Sequence, residues 1–357
     1  ILSDCRELSQ VGFRANYIRK ISEDALPRKL RWLILTQNNL SALPNVLSEM
    51  PLLQKLMLSG NELTELPEGL QNASALELLR LSANRLEELP SWLLNLPRLA
   101  WVSWSGNPLE PNITLNAKNH ISWDSLKIGA ILGQGASGHV YASDWSAAQG
   151  EPMRPVAVKI FKGAMTSDGL PKNEIITSLA AGKHENLLGA IGRVADHPSG
   201  LEALVLPLLP KSWEVLASPP DFSSCTRDIY KPEFRIEPET AFEILRCITQ
   251  AMVHLHSNTI LHGDLYAHNI LWDVSKGKAV LSDFGAACVV PQNTINDGWR
   301  KIETRALGIL IEELTSRVKS EDNMVKQLRE ISVASLHANC ANRPQMREIL
   351  DALSGLH

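Results

Sequence analysis

Three side chains near the middle of the C-terminal half could together move a phosphoryl group. Asp264 and Asn269 lie in His262-Gly263-Asp264-Leu265-Tyr266-Ala267-His268-Asn269, and Asp283 opens Asp283-Phe284-Gly285 just downstream. One carboxylate can orient an attacking hydroxyl and accept its proton. An amide and a second carboxylate, brought close by a short hairpin, can hold Mg²⁺ against the phosphates of a nucleotide. Singly, each is an ordinary polar loop residue, so the reading depends on what stands upstream.

Upstream, Leu132-Gly133-Gln134-Gly135-Ala136-Ser137-Gly138-His139-Val140 forms a G-x-G-x-x-G-x-V loop. Glycines are needed where a hairpin lies against phosphates, because a Cβ would hold the backbone away. A dinucleotide-binding turn would need a helix to open on the third glycine. Here β-prone residues flank the loop on both sides, so a strand–turn–strand hairpin is expected. Val156-Ala157-Val158-Lys159 then sets a lysine at the end of a buried strand. Glu174, within Lys-Asn-Glu-Ile-Ile-Thr-Ser-Leu, is placed on a helix and can pair with that lysine.

These four signals in this order resemble the protein-kinase family over residues 123–357, about two-thirds of the chain. The resemblance implies an α+β two-lobed fold, with a small lobe over 123–207 and a large lobe over 208–357. It implies ATP and Mg²⁺ as cofactors. Leu132, Gly133, Gly135, Gly138, Val140 and Ala157 would cover the nucleotide from above, with Leu271 beneath the adenine. Pro207 and Leu209 would offer a carbonyl and an N–H at the hinge. Lys159 and Glu174 would serve the phosphates, Asp264 the substrate hydroxyl, and Asn269 and Asp283 the metal. His262 would brace the loop. Residues 218–238 read as an irregular, proline-containing insertion, and Glu239–His256 as a long amphipathic helix leading to the loop.

Three departures from the family pattern stand out. Gly263 replaces the arginine that commonly pairs with a phosphate on the activation segment. Tyr266 replaces a lysine aimed at the transferred phosphate, and a neutral phenol can only donate a hydrogen bond there. Only residues 286–302 separate Gly285 from Glu303, which stands where the central helix usually carries Asp, and no Ala-Pro-Glu lies between. That implies a shortened activation segment in which Thr294 is the single Ser/Thr. Arg343 matches a residue whose usual glutamate partner is missing.

The first third is a repeat array. Asn38, Asn61, Asn84 and Asn107 recur every 23 residues, each within L-x-x-L-x-L-x-x-N-x-L or a close relative of it. An imperfect copy runs from Leu8 to Ile18. Residues 1–110 therefore resemble an α/β leucine-rich-repeat solenoid of about five copies, and further copies are expected before Ile1. Strand positions on the concave side include Arg80 and an apolar set, Trp32, Ile34, Met57, Leu78 and Trp101. An apolar stripe there is expected to bind a partner, a protein substrate or regulator, with docking onto the chain's own kinase portion as the alternative. The linker over 111–122 is short enough to hold the two parts together.

Composition sets the remaining bounds. A net charge of −4 argues against bulk nucleic-acid binding, and no apolar run is long enough to span a membrane. The five cysteines (5, 225, 247, 288 and 340) are scattered without metal-ligand spacing, which fits reduced thiols and a cytoplasmic setting. The expected function is that of a Ser/Thr protein kinase whose repeats bind partners or regulate it. The alternatives are a weakly active scaffold and a kinase acting on small-molecule hydroxyls.

Overall fold

The computed structural model describes every residue except 1, 112, 114–118, 136, 149, 164, 292–296 and 357, so Thr294 lies outside the described residues. Each repeat contributes one short strand: β1 (Gln10–Gly12), β2 (Trp32–Ile34), β3 (Lys55–Met57), β4 (Leu78–Arg80) and β5 (Trp101–Ser103). They pair in parallel and in chain order. Three returns on the opposite side are 3-10 turns that begin directly after Pro44, Pro67 and Pro90. Proline suits that entry, since its φ is preset and no N–H is left wanting a partner. The asparagines form an internal ladder. Asn84 Nδ2 donates to the carbonyls of Leu58 (3.0 Å) and Leu81 (2.8 Å), while its Oδ1 accepts from the Leu63 N–H (3.1 Å). Asn61 and Asn107 repeat the pattern one copy away, so backbone groups orphaned at each bend are paired inside the solenoid.

The remainder has two lobes. In the small lobe, β6 (Leu126–Gln134), β7 (Gly138–Trp145), β8 (Arg154–Phe161), β9 (Gly192–Val194) and β10 (Ala203–Pro207) form an antiparallel sheet in the order β6-β7-β8-β10-β9. Between β8 and β9 runs α1 (Pro171–Ala180), which opens on a proline where a missing N–H costs nothing. The large lobe adds β11 (Trp213–Val215), α2 (Pro238–Ser257), β12 (Ile260–Leu261), β13 (Ile270–Asp273), β14 (Ala279–Leu281) and β15 (Cys288–Val289). It ends in α3 (Gly298–Thr315), α4 (Asn323–Ser335) and α5 (Met346–Ser354). The 262–269 loop follows β12 and leads into β13, and α2 is buried beneath it along most of one face.

Repeats and large lobe share their cores. Met57, Leu78, Ala100 and Trp101 belong to the apolar cluster built around α2, α3 and α5. In return Leu261, Cys288, Val290, Trp299 and Ile302 complete the cluster of the solenoid. This corrects the expectation that the concave stripe faces a separate partner. Trp101, Leu78 and Met57 are buried against the chain's own large lobe, with Trp32 and Ile34 half-buried beside them. An apolar stripe joined by a short linker to a lobe with a matching face finds that face first, at high effective concentration.

Arg343 shows how close the fit is. Its guanidinium is buried and donates to the carbonyls of Pro97 (3.1 Å) and His337 (2.9 Å), with longer contacts to Leu99 and Lys301. The repeats thus supply acceptors to an arginine whose family partner is absent. Arg305 makes a second bond of this kind, to the carbonyl of Arg98. Arg343→Met would leave several buried carbonyls without donors. It should lower the unfolding free energy by about 2–4 kcal/mol and speed amide exchange in β5. A denaturation curve and β5 exchange unchanged from wild type would show that the seam does not depend on Arg343.

Candidate active site

Small-ligand sites are clefts of about 300–1,000 Å³, and the cleft between the two lobes encloses about 600 Å³. Leu132, Gly133, Gly135, Gly138, Val140 and Ala157 line its roof, Pro207 and Leu209 its rear, and Leu271 its floor. Leu132 and Ile131 are more than half exposed, an unusual state for large apolar side chains on a strand. The roof is the β6–β7 hairpin. Its third glycine is sterically required, because a Cβ on Gly138 would sit 2.3 Å from the carbonyl oxygen of Ile160.

The charged groups collect at the deep end. Lys159 Nζ, at the buried end of β8, lies 2.5 Å from Glu174 Oε1 on α1 and 4.0 Å from Asp283 Oδ1. Burial alone would lower the Lys159 pKa, but the Asp283 and Glu174 carboxylates outweigh it and raise it. Burial, followed by repulsion from Asp283, pushes Glu174 up to about 7 despite its lysine. Its Oε2 is buried without a partner. Asp283 holds a left-handed backbone (φ 62°), which a non-glycine residue adopts only under constraint, and its Oδ1 accepts the Gly285 N–H at 2.9 Å. Asn269 Nδ2 donates to the Asp264 carbonyl (2.9 Å) and to Asp264 Oδ2 (2.8 Å). Its Oδ1 is therefore turned away from Asp264 and available, with Asp283, to a hard cation.

The 262–269 loop is braced from beneath. His262 Nε2 contacts the Ser282 carbonyl at 3.0 Å, tying the loop to the Asp283 segment. Glu303 on α3 accepts the Gly263 N–H (2.6 Å) and contacts His256 Nε2 (2.8 Å), so it ties the loop to α3 and to the end of α2. The 218–238 insertion also has a task. Asp228 accepts the His268 backbone N–H (3.0 Å) and contacts its Nδ1 (2.7 Å), which turns Nε2 to within 4.0 Å of Asp264. Burial would lower the His268 pKa, yet the bond to Asp228 and the charge of Asp264 raise it.

From above, the solenoid closes over Asp264. Arg80, at the end of β4, is only 1% exposed. Its guanidinium binds Asp264 Oδ1, Asp168 Oδ1 (2.9 Å) and the Gly263 carbonyl (2.8 Å). Burial would raise the Asp264 pKa, but Arg80 first and His268 next hold it below the usual carboxylate range. Trp101 stacks on Tyr266 with ring centroids 4.1 Å apart and planes 8° from parallel, and its Nε1 donates to the Leu265 carbonyl at 2.9 Å. The Tyr266 hydroxyl is buried without a hydrogen-bond partner, so the ring is a docking face for the repeats. Gly263 has φ 73°, and a Cβ there would lie 2.5 Å from the Ala286 carbonyl oxygen and 2.9 Å from that of Val102. No arginine fits that position while the repeats are in place.

All the residues expected for the nucleotide, with Lys159, Glu174 and Asp283, thus line one cleft; Asn269 joins Asp264 to it, its carbonyl accepting the N–H of Ser282 on the cleft wall. Sequence reasoning missed Arg80, Asp168, Asp228 and His268. Arg80 carried a signal, being with Lys55 one of two charges among largely apolar concave positions. Asp168 and Asp228 carried none, because loops set their positions.

Residues 126–300 match the family model described as protein kinase domain, and residues 6–63 match leucine rich repeat. A protein of Encephalitozoon cuniculi named a probable serine/threonine-protein kinase is 33% identical over 170 residues, 47% of this chain and 28% of the relative. A dual specificity protein kinase of Dictyostelium discoideum is 24% identical over 194 residues, 53% of this chain and 13% of the relative. A serine/threonine-protein kinase of Bacillus subtilis is 38% identical over 60 residues, 17% of this chain and 9% of the relative. The chain spans less than a third of the length of each of these relatives. The repeat ladder, the two-lobed fold and the matches agree: the chain carries leucine-rich repeats ahead of a protein kinase domain.

Proposed function

We infer that the protein transfers the terminal phosphoryl group of ATP to Ser/Thr hydroxyls of a protein substrate, and that its repeats restrain this activity. The observation that carries the first part is the meeting of Lys159, Glu174 and Asp283 in one cleft, with Asn269 linking Asp264 to Ser282 on the cleft wall. Lys159, kept protonated by Glu174 and Asp283, is placed to hold the α- and β-phosphates. Asp264 is placed to orient the substrate hydroxyl and take its proton. Asn269 Oδ1 and the Asp283 carboxylate are the oxygens that would hold Mg²⁺, which supplies charge neutralisation at the phosphates. Two protein oxygens suit a cation that otherwise prefers water and phosphate. Bound metal would also relieve the repulsion that Asp283 exerts on Glu174. The names of the relatives support the protein-kinase reading.

Restraint by the repeats is supported by Arg80. A carboxylate paired with a buried guanidinium is a poor proton acceptor and cannot also receive a hydroxyl at that oxygen. The short 286–302 stretch and the glycine at 263 leave the face on which the solenoid sits. Tyr266, stacked under Trp101, contributes no cation to the transferred phosphate, which points to a slow enzyme.

Phosphate transfer from labelled ATP with Mg²⁺, to a generic basic protein and to the chain itself, tests the first part. Asp264→Ala should reduce transfer by at least about 100-fold while ATP affinity changes little; transfer persisting in that variant would remove Asp264 from the chemistry. Arg80→Met tests the restraint. It should raise transfer by about tenfold or more, since one buried charge contact with Asp264 is worth well over 1.4 kcal/mol. Retained ATP binding would certify that the variant is folded, and unchanged transfer in such protein would show that the repeats do not hold Asp264 back.

A further inference from the structure

Between the concave face and the kinase domain lies a second cavity of about 450 Å³, separate from the nucleotide cleft. Trp32, Ile34, Met57 and Leu78 form an apolar wall on the repeat side, and Asp264 and His268 border it on the kinase side. Its charges do not balance. Arg80 is shared between Asp168 and Asp264 and leaves no cationic capacity unused. Lys55 has no carboxylate among the described residues; its ammonium rests 4.1 Å from the centroid of the Trp32 ring. Arg14 spends one donor on the Met165 carbonyl and has no carboxylate partner among the described residues either. Two cations thus flank an apolar wall, and among the described residues neither has a carboxylate in ion-pair contact.

We propose that this cavity binds a small amphiphilic acid, its carboxylate or phosphate held between Lys55 and Arg14 and its apolar body against Trp32, Ile34, Met57 and Leu78. The charge complementarity is specific. An anion would complete the pairing that Trp32 satisfies only through its π-face, and the wall would desolvate the apolar part. Burial and then the neighbouring Arg80 draw the Lys55 pKa below that of an ordinary lysine, outweighing the charges of Asp264 and Asp168. The volume admits a ligand at the small end of the usual range. Because Arg80 and Asp264 border the same space, such a ligand would sit beside the contact through which the repeats reach the active site. The site itself does not depend on the protein being an active kinase.

The test is binding of 4-phenylbutyrate and phenyl phosphate to the full chain without ATP, beside neutral 4-phenylbutanamide. The reporter is the ¹³C-methyl resonance of Met57, assigned with Met57→Leu. At least one acid should shift that resonance with a Kd below about 1 mM, the amide should bind at least about tenfold more weakly, and Lys55→Met should lose the acid while Lys55→Arg keeps it. Equal binding of acid and amide, no shift of Met57 with either acid, or undiminished acid binding in folded Lys55→Met would overturn the proposal. Should Lys55→Met fail to fold, the comparison of acid and amide on wild type decides. ATP and transfer play no part in the readout, so a failure of the kinase reading would leave this result standing.

Discussion

One buried guanidinium organises the arrangement of the two halves. Arg80 is removed from water, and an unpaired charge in that position would cost several kcal/mol. It is tolerated because Asp168 from the small lobe and Asp264 and the Gly263 carbonyl from the large lobe all converge on it. Asp168 and the adjacent Gly263 and Asp264 come from different lobes, so Arg80 ties the repeats to both lobes as well as covering Asp264. Asp168 lies on the segment leading into α1, the helix that carries Glu174. The same contact that occupies Asp264 therefore also steadies the helix on which the Lys159 partner rides.

Several departures of the kinase domain from its family pattern lie on this docking face. A side chain at 263 would meet the large lobe's own Ala286 carbonyl first and the Val102 carbonyl next, and a lysine at 266 would place a second cation near Arg80 under the face of Trp101. Arg343 can persist without a carboxylate because the loop before β5 offers carbonyl oxygens. The short 286–302 stretch leaves room for Trp104, whose Nε1 donates to the Val289 carbonyl and whose ring meets Trp299 edge-on. Each change would be costly in a kinase whose large lobe faces water. Together they make a surface that only the solenoid completes.

Periodicity and motif spacing are local, and what is local was legible. The repeat strands follow from leucine and asparagine spacing, the hairpin from its glycines, and α2 from its amphipathic pattern, observed over Pro238–Ser257. The chemistry-bearing residues were legible for the same reason, since Lys159, Asp264, Asn269 and Asp283 sit in motifs a few residues long. What escaped depends on the meeting of distant segments. Arg80 and Asp264 are 184 positions apart, Glu77 and Arg227 150, and nothing in either local pattern names the other. The apolar stripe was visible, but whether it met a partner or its own chain depended on the shape of the opposite face.

That Asp264 is both the expected proton acceptor and the anchor of the repeats has a consequence for how the contact could open. Mutating one partner of a buried ion pair strands the other, at about 3–5 kcal/mol. Separation of the two surfaces does not, because water hydrates both ends as they part. The Coulombic part of the lock is thus weaker against opening than against substitution, and the apolar contacts of Trp101, Leu78 and Met57 must carry much of the docking energy. Opening would expose that apolar area to water, so packing more than charge resists the separation of the two surfaces.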